Sequence, residues 1–201
     1  MADGGEVTLE WCLADDPSSA PVVLMLHGLC GSSQDFASLL CEVRRRGWSG
    51  VVMNRRGHRR LLSTPCFSIM GSTSDVREAV AAVRDRLPGA PVVLLGSSAG
   101  SGLAVRYLGE EGERAPVAAA LIVDPAYELE HAFGRIDPVL DSYMTKNCKS
   151  WFVQPNAAVL ARHAAGEEGL PVRSQIIREK YARETSEIRK NSANVSSNLM
   201  A

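Results

Sequence analysis

An α/β fold, a mostly parallel sheet with helices on both of its faces, is predicted for this chain by three observations. Short apolar runs alternate with segments of helical periodicity from residue 6 to residue 123. Two of these runs, 21–26 and 91–96, are apolar at nearly every position, as strands covered on both sides must be. Small-residue loops follow the runs directly, where the carboxyl ends of parallel strands carry functional groups.

Residues 6–13 are expected to form a strand, closed by the turn Asp15-Asp16-Pro17-Ser18-Ser19. Residues 21–26 supply a second strand. The spacing predicts a helix over 34–46, with Phe36, Leu39, Leu40 and Val43 on one face and Gly47 as its stop. A short strand at 50–54 precedes a helix over 73–87, whose stripe is Val76, Val80, Val83 and Leu87 and whose end is Pro88-Gly89. The strand 91–96 leads into a helix over 99–111, and 117–123 reads as another buried strand. After Asp124-Pro125, residues 128–192 show helical spacing without a strand, a lid-like segment. Its stretch 173–191 is charged around a thin apolar set (Ile176, Ile177, Tyr181, Ile188), and 192–201 is expected to fray. Without repeat or linker, 1–201 reads as a single domain.

Net charge is −1, from 22 Lys+Arg against 23 Asp+Glu, and no basic stripe is interleaved with aromatics. Nucleic-acid binding therefore has no compositional support. The one basic run, Arg55-Arg56-Gly57-His58-Arg59-Arg60, reads as a solvated loop at a strand end. The five cysteines (Cys12, Cys30, Cys41, Cys66, Cys148) are scattered and lack C-x-x-C spacing, which argues against a disulfide framework and a zinc site. A reducing compartment is expected. Neither a signal peptide nor an apolar stretch of membrane-spanning length is visible, which points to the cytoplasm or to peripheral contact with an intracellular membrane. Oligomeric state is not legible.

Gly96-Ser97-Ser98-Ala99-Gly100 is G-x-S-x-G, set between a strand and a helix, the context in which this short motif acquires meaning. A serine at such a sharp turn, a nucleophile elbow, needs neighbours without side chains. Only Ser98 has glycine on both sides at the required spacing, so Ser98 is the candidate nucleophile. Nucleophilic serine chemistry also needs two main-chain N–H donors aimed at the developing oxyanion. Ala99, which follows the serine, supplies one. Leu29, in the loop opened by His27-Gly28, supplies the other, with Cys30 as the neighbour that could replace it. His27 and Gly28 brace this loop, and Gly96 and Gly100 shape the turn. The chemistry requires no metal and no organic cofactor.

These residues resemble the α/β-hydrolase-domain family of bacterial YheT and the eukaryotic relatives of acylglycerol lipase and phospholipase type. The resemblance runs in order through Asp3-Gly4-Gly5, Leu9-Glu10-Trp11, HGLCGSS at 27–33, VVMNRRGH at 51–58 and Thr64-Pro65. It continues through Gly71-Ser72-Thr73-Ser74-Asp75, GSSAG, Val105-Arg106-Tyr107-Leu108-Gly109-Glu110 and AALIVDPAYEL at 119–129. It covers residues 3–155, with a fainter echo around Ile177-Arg178-Glu179. It departs in Ser97-Ser98-Ala99-Gly100-Ser101, where the family usually has an aromatic before the nucleophile and Gly-Gly after it, and at His58, where a small residue or cysteine is usual. The resemblance implies an α/β-hydrolase fold and a serine esterase acting on ester or lipid small molecules.

A serine hydroxyl needs a base within hydrogen-bond reach, itself oriented by a carboxylate. In this fold both follow the serine on later strands. No strand is visible after Val123, so acid and histidine are expected beyond Ala201, and the chain reads as the amino-terminal half of a hydrolase domain lacking its last strands. Asp124 and His163 are the stand-in candidates, although Asp124 reads first as a helix cap before Pro125 and His163 as a surface helix residue. His131, Asp137 and Asp141 have no motif behind them, and Asp75 belongs to a helix's first turn. The competing expectations are an incomplete hydrolase fold that binds without turnover, or a chain whose apolar sheet edge prevents it from folding alone.

Overall fold

The computed structural model describes residues 3–125 and 127–164, so the expectations placed on 165–201, the segments 173–191 and 192–201 among them, lie outside the described residues. All elements below belong to one compact unit, Met1–Ala165. Five strands, β1 (Thr8–Cys12), β2 (Val22–Leu26), β3 (Ser49–Asn54), β4 (Val92–Ser97) and β5 (Ala119–Val123), lie in the order β1-β3-β2-β4-β5. Only β1 runs antiparallel to its neighbour, and each strand falls within two residues of an apolar run.

The period of two divides the apolar residues between the faces. Val22, Leu24 and Leu26 pack with Val51, Met53, Val92 and Leu94, under α2 (Thr73–Arg86) and α3 (Ala99–Glu111). These helices insert Val76, Val80, Val83, Leu103 and Tyr107, each at most 5% exposed. Val23, Met25, Val52 and Leu95 face the other way and meet Phe36, Leu40 and Val43 of the segment ending in α1 (Ala37–Arg45). That segment is not one continuous helix. A 3-10 turn, Ser33–Phe36, comes first, its end tied by Gln34 N–H to Ser32 Oγ at 3.3 Å and Ser32 N–H to Asp35 Oδ2 at 2.9 Å. The buried face narrows accordingly, and Leu39 stands at its rim, 37% exposed.

Two expectations about burial are overturned. Among the described residues β5 is the edge of the sheet, with Leu121 54% and Val123 38% exposed; an apolar run carries no mark of whether it has one neighbour or two. The basic run is solvated only at Arg59 and Arg60, which are exposed: Arg55, Arg56 and His58 are 3%, 8% and 9% exposed. Arg56 is admitted to the interior by charge pairing. It donates to both oxygens of Asp75 at 2.7 and 2.8 Å, to Asp3 at 2.5 Å and to the Cys66 carbonyl at 2.9 Å. Asp75 does sit in the first turn of α2, and its carboxylate also clamps the loop after β3 to that helix.

Helices α4 (Leu129–Phe133), α5 (Pro138–Cys148) and α6 (Ala157–Ala164), with a π-type turn Lys149–Val153 between the last two, follow β5. Cys30 and Cys148 are bonded as a disulfide, their Cα atoms 5.7 Å apart, where the sequence argued against a disulfide framework. The partners are 118 residues apart, so only the tertiary fold brings them together. Phe152, 2% exposed, packs on His58 and Phe67. Asn156 receives the Leu62 N–H at 2.7 Å and donates to the carbonyls of Phe152 and Gly57 at 2.7 and 3.3 Å.

Removing Asp75 takes from buried Arg56 its two-pronged carboxylate and leaves it Asp3 alone as counter-charge, so Asp75→Ala should cost about 3 kcal/mol in urea denaturation. Cys148→Ser should lower stability by about 2–4 kcal/mol. Adding reductant should give the same drop in the wild type and none in the variant.

Candidate active site

Parallel pairing of β2 with β4 sets Leu26 opposite Gly96, so the two strands end level and the loops leaving them meet. Ser98 precedes α3 as its N-cap, with φ 52° and ψ −118°, an uncommon backbone for a residue with a side chain, and is exposed. Such a conformation costs about 1–3 kcal/mol and persists only where its surroundings dictate it. Here they do. Ser98 N–H is held by the Val123 carbonyl at 3.0 Å, and the Ser98 carbonyl accepts from the Ser101 N–H at 2.9 Å and from the Ser101 hydroxyl. A Cβ on Gly96 would lie 2.6 Å from the Gly100 carbonyl oxygen, and one on Gly100 would fall on the Leu26 carbonyl. Both positions exclude every residue but glycine.

The His27-Gly28 loop runs beside this turn. A Cβ on Gly28 would be 3.5 Å from Ser98 Cβ and 3.9 Å from its Oγ. Leu29, Ser98 and Ala99 line one cavity of about 420 Å³, together with Leu103, Phe133 and Met144. Ala99 opens α3, and its N–H has no carbonyl within the helix to bond. Cys30, the alternative donor, has φ 56°, is held by the disulfide and does not line the cavity.

His27 is fully buried, and its two nitrogens are occupied. The Arg55 main-chain N–H donates to Nε2 at 3.1 Å, so Nε2 carries no proton. Nδ1 then carries it and donates to the Gly28 carbonyl at 2.9 Å. Burial, and then the charge of Arg55, push His27 down to about 3 and His58 to about 4. The two rings are 4.9 Å apart, and His58 Nδ1 donates to the Arg56 carbonyl at 3.0 Å. Both imidazoles are neutral at pH 7.

Other expected residues do not converge on Ser98. Its Oγ has no hydrogen-bond partner among the described residues. Asp124, with φ 53°, follows β5 and is exposed, and no helix starts at Pro125 for it to cap; α4 begins at Leu129. His131 is exposed on α4. His163 falls in α6, its side chain outside the described residues. Among the described residues no three His, Cys, Asp or Glu side chains could hold a metal, and no helix is long and apolar enough to cross a membrane.

Three residues organise the site: Asn54, which the sequence places at a strand's carboxyl end, and Arg55 and Asn156, to which sequence reasoning gave no role in it. Asn54 receives the Ser33 N–H at 2.7 Å and donates to Thr8 and Glu10, joining the loop after β2 to β3 and β1. Arg55 donates to the Gly28 carbonyl at 2.5 Å, and Asn156 ties the helical segment to the loop after β3. Asn54 and Arg55 stand at a strand's carboxyl end, and that position was the available signal.

The family model described as alpha/beta hydrolase fold matches residues 21–192. The chain belongs to this family. It is 34% identical over 133 residues to embryogenesis-associated protein EMB8 of Picea glauca, covering 60% of this chain and 29% of that one. It is 34% identical over 128 residues to phospholipase ABHD3 of Mus musculus, covering 59% and 31%. The monoacylglycerol lipase of Saccharomyces cerevisiae matches at 30% over 124 residues, 57% and 28%. The chain thus spans less than a third of the length of these three relatives. The solved structure of Est1E from Butyrivibrio proteoclasticus superposes with a TM-score of 0.52 at 16% identity, over 65% of this chain and 51% of that one, which shows the shared fold.

The neutral histidines give a pH signature. Unfolded, each binds a proton below about pH 6.5, whereas folded they refuse it until about 4 and about 3, so stability is full above 6.5 and lost as pH falls. Between pH 6.5 and 4.5 the loss should approach about 1.4 kcal/mol per pH unit for each histidine, measured by urea midpoints. His58→Phe should halve the slope.

Proposed function

We propose that this hydrolase-fold chain carries the nucleophile and oxyanion site of a serine carboxylic-ester hydrolase acting on lipid esters. The observation that carries the reading is Ser98: exposed, at positive φ, immediately before α3, and opening into the cavity that Leu29 and Ala99 also line. Its Oγ bonds to the ester carbonyl carbon as its proton passes to the base and from there to the departing alcohol, and the π pair moves to oxygen. The N–H groups of Leu29 and Ala99 receive that charge. Collapse expels the alcohol and leaves an acyl group on Ser98, which water removes. Leu103, Phe133 and Met144 supply an apolar wall for an acyl chain. Relatives named phospholipase and monoacylglycerol lipase support the same substrate class.

In this reading His27 and Gly28 position the loop, Gly96 and Gly100 permit the nucleophile elbow, and the base and its carboxylate lie outside the described residues. The α4–α6 segment acts as a lid. Val139, Leu140, Tyr143 and Trp151, between 49% and 78% exposed, are the surface by which it rests on lipid. A second reading has its own observation. Ser98 Oγ without a partner among the described residues favours a protein that binds lipid esters without turning them over.

A fluorophosphonate probe should label the folded full chain at Ser98 and fail on Ser98→Ala, read by mass spectrometry. Absence of the adduct overturns the nucleophile. Labelling together with steady, Ser98-dependent hydrolysis of short-chain esters removes the binding-only reading.

A further inference from the structure

The loop after β3 buries two adjacent arginines in opposite ways. Arg56 is matched by the carboxylates of Asp75 and Asp3. Arg55 is 3% exposed and faces no carboxylate among the described residues. Among the described residues its Nε and Nη1 have no hydrogen-bond partner, and its ring neighbours, His27 and His58, carry no charge. Burial lowers Arg55 only to about 10, so the guanidinium remains a cation at neutral pH. An uncompensated buried cation is costly to folding and marks a place where its field is used.

Its one side-chain hydrogen bond shows where that field acts. Nη2 donates to the Gly28 carbonyl at 2.5 Å. The same oxygen accepts from His27 Nδ1 at 2.9 Å and from the Gly31 N–H at 3.1 Å. Nη2 also lies 3.2 Å from His27 Nδ1, but both atoms are donors there, so that contact is no hydrogen bond. The Gly28 carbonyl and the Leu29 N–H belong to one planar trans peptide and point in opposite directions. Electron density drawn toward the oxygen by three donors, one of them a cation, leaves the N–H more positive.

We infer that Arg55 is a positioning residue for the oxyanion: through the Gly28 carbonyl it orients and polarises the Leu29 N–H that receives negative charge from a ligand bonded to Ser98. The inference rests on the reading of Ser98 as nucleophile and adds to it the source of the positive potential. It also accounts for the unpaired donors. A full carboxylate on Nε and Nη1 would cancel the field that the peptide transmits.

The test uses an alkyl trifluoromethyl ketone carrying ¹³C at the carbonyl, added to the folded full chain. Ser98 Oγ loses its proton to solvent and bonds to the carbonyl carbon, and the π pair becomes an alkoxide whose ionisation is read from the ¹³C shift against pH. In the wild type the hemiketal should ionise at least about two pH units below the ketone hydrate free in water, the size of shift a nearby opposite charge produces. Arg55→Met and Arg55→Gln should raise that value by about one unit or more and weaken the adduct at least about tenfold. Arg55→Lys should restore most of both. The corresponding trifluoromethyl carbinol, which cannot form the adduct, should bind all four proteins within about twofold, which separates charge transmission from a damaged cavity.

An adduct that ionises alike in wild type and in a folded neutral variant overturns the role of Arg55 and leaves the nucleophile standing. A wild-type adduct shifted by less than one unit does the same even if neither neutral variant folds. No adduct on Ser98 overturns the nucleophile and this inference together.

Discussion

The arrangement depends on one register. With Leu26 paired to Gly96, β2 and β4 stop at the same height, and the chain leaving each strand has to turn within reach of the other. Gly100 then lies on the Leu26 carbonyl with no room for a methyl group, so the first turn of α3 and the end of β2 are in direct backbone contact. A shift of two residues in this pairing would keep every side chain on its own face and still separate Ser98 from Gly28 by the rise of two residues, roughly 7 Å. The two core clusters, divided by alternation along β2, hold the register in place.

Around this junction the protein concentrates unfavourable local choices. Cys30, Ser98 and Asp124 all adopt positive φ at loops that follow parallel strands, and Arg55 and two neutral histidines are buried beside them. Each is costly alone. They persist because β2, β3 and β4 are covered on both faces and supply the stability that such sites consume. The helical segment behaves differently. It keeps Val139, Tyr143 and Trp151 in solvent and meets the body mainly through Cys148, Phe152 and Asn156.

The sheet and the serine junction were legible because their signals are local. Periodicity placed all five strands and both major helices, and the two glycines around Ser98 announced a turn that only glycine can make. What was missed depends on partners distant in sequence. Arg56 looked like surface because Asp75 is 19 residues away, and the Cys30–Cys148 pair looked like two free thiols across 118. The burial of β5 was misjudged for a related reason, since an edge strand and a central one can share the composition AALIV. Asp124 illustrates a different failure. An Asp-Pro pair suggested a cap, whereas the backbone puts Asp124 at positive φ with four residues between it and α4.

The disulfide turns residues 30–148 into a closed ring that holds β3, β4, β5 and every helix from α1 to α5. A single peptide bond cut anywhere in that ring, for instance at the exposed Arg60-Leu61 link, leaves both fragments covalently joined. A nicked molecule would therefore keep its mass, gaining only the water of hydrolysis, until thiols are added. Trypsin resistance judged on a non-reducing gel would in this protein measure the ring and not the fold.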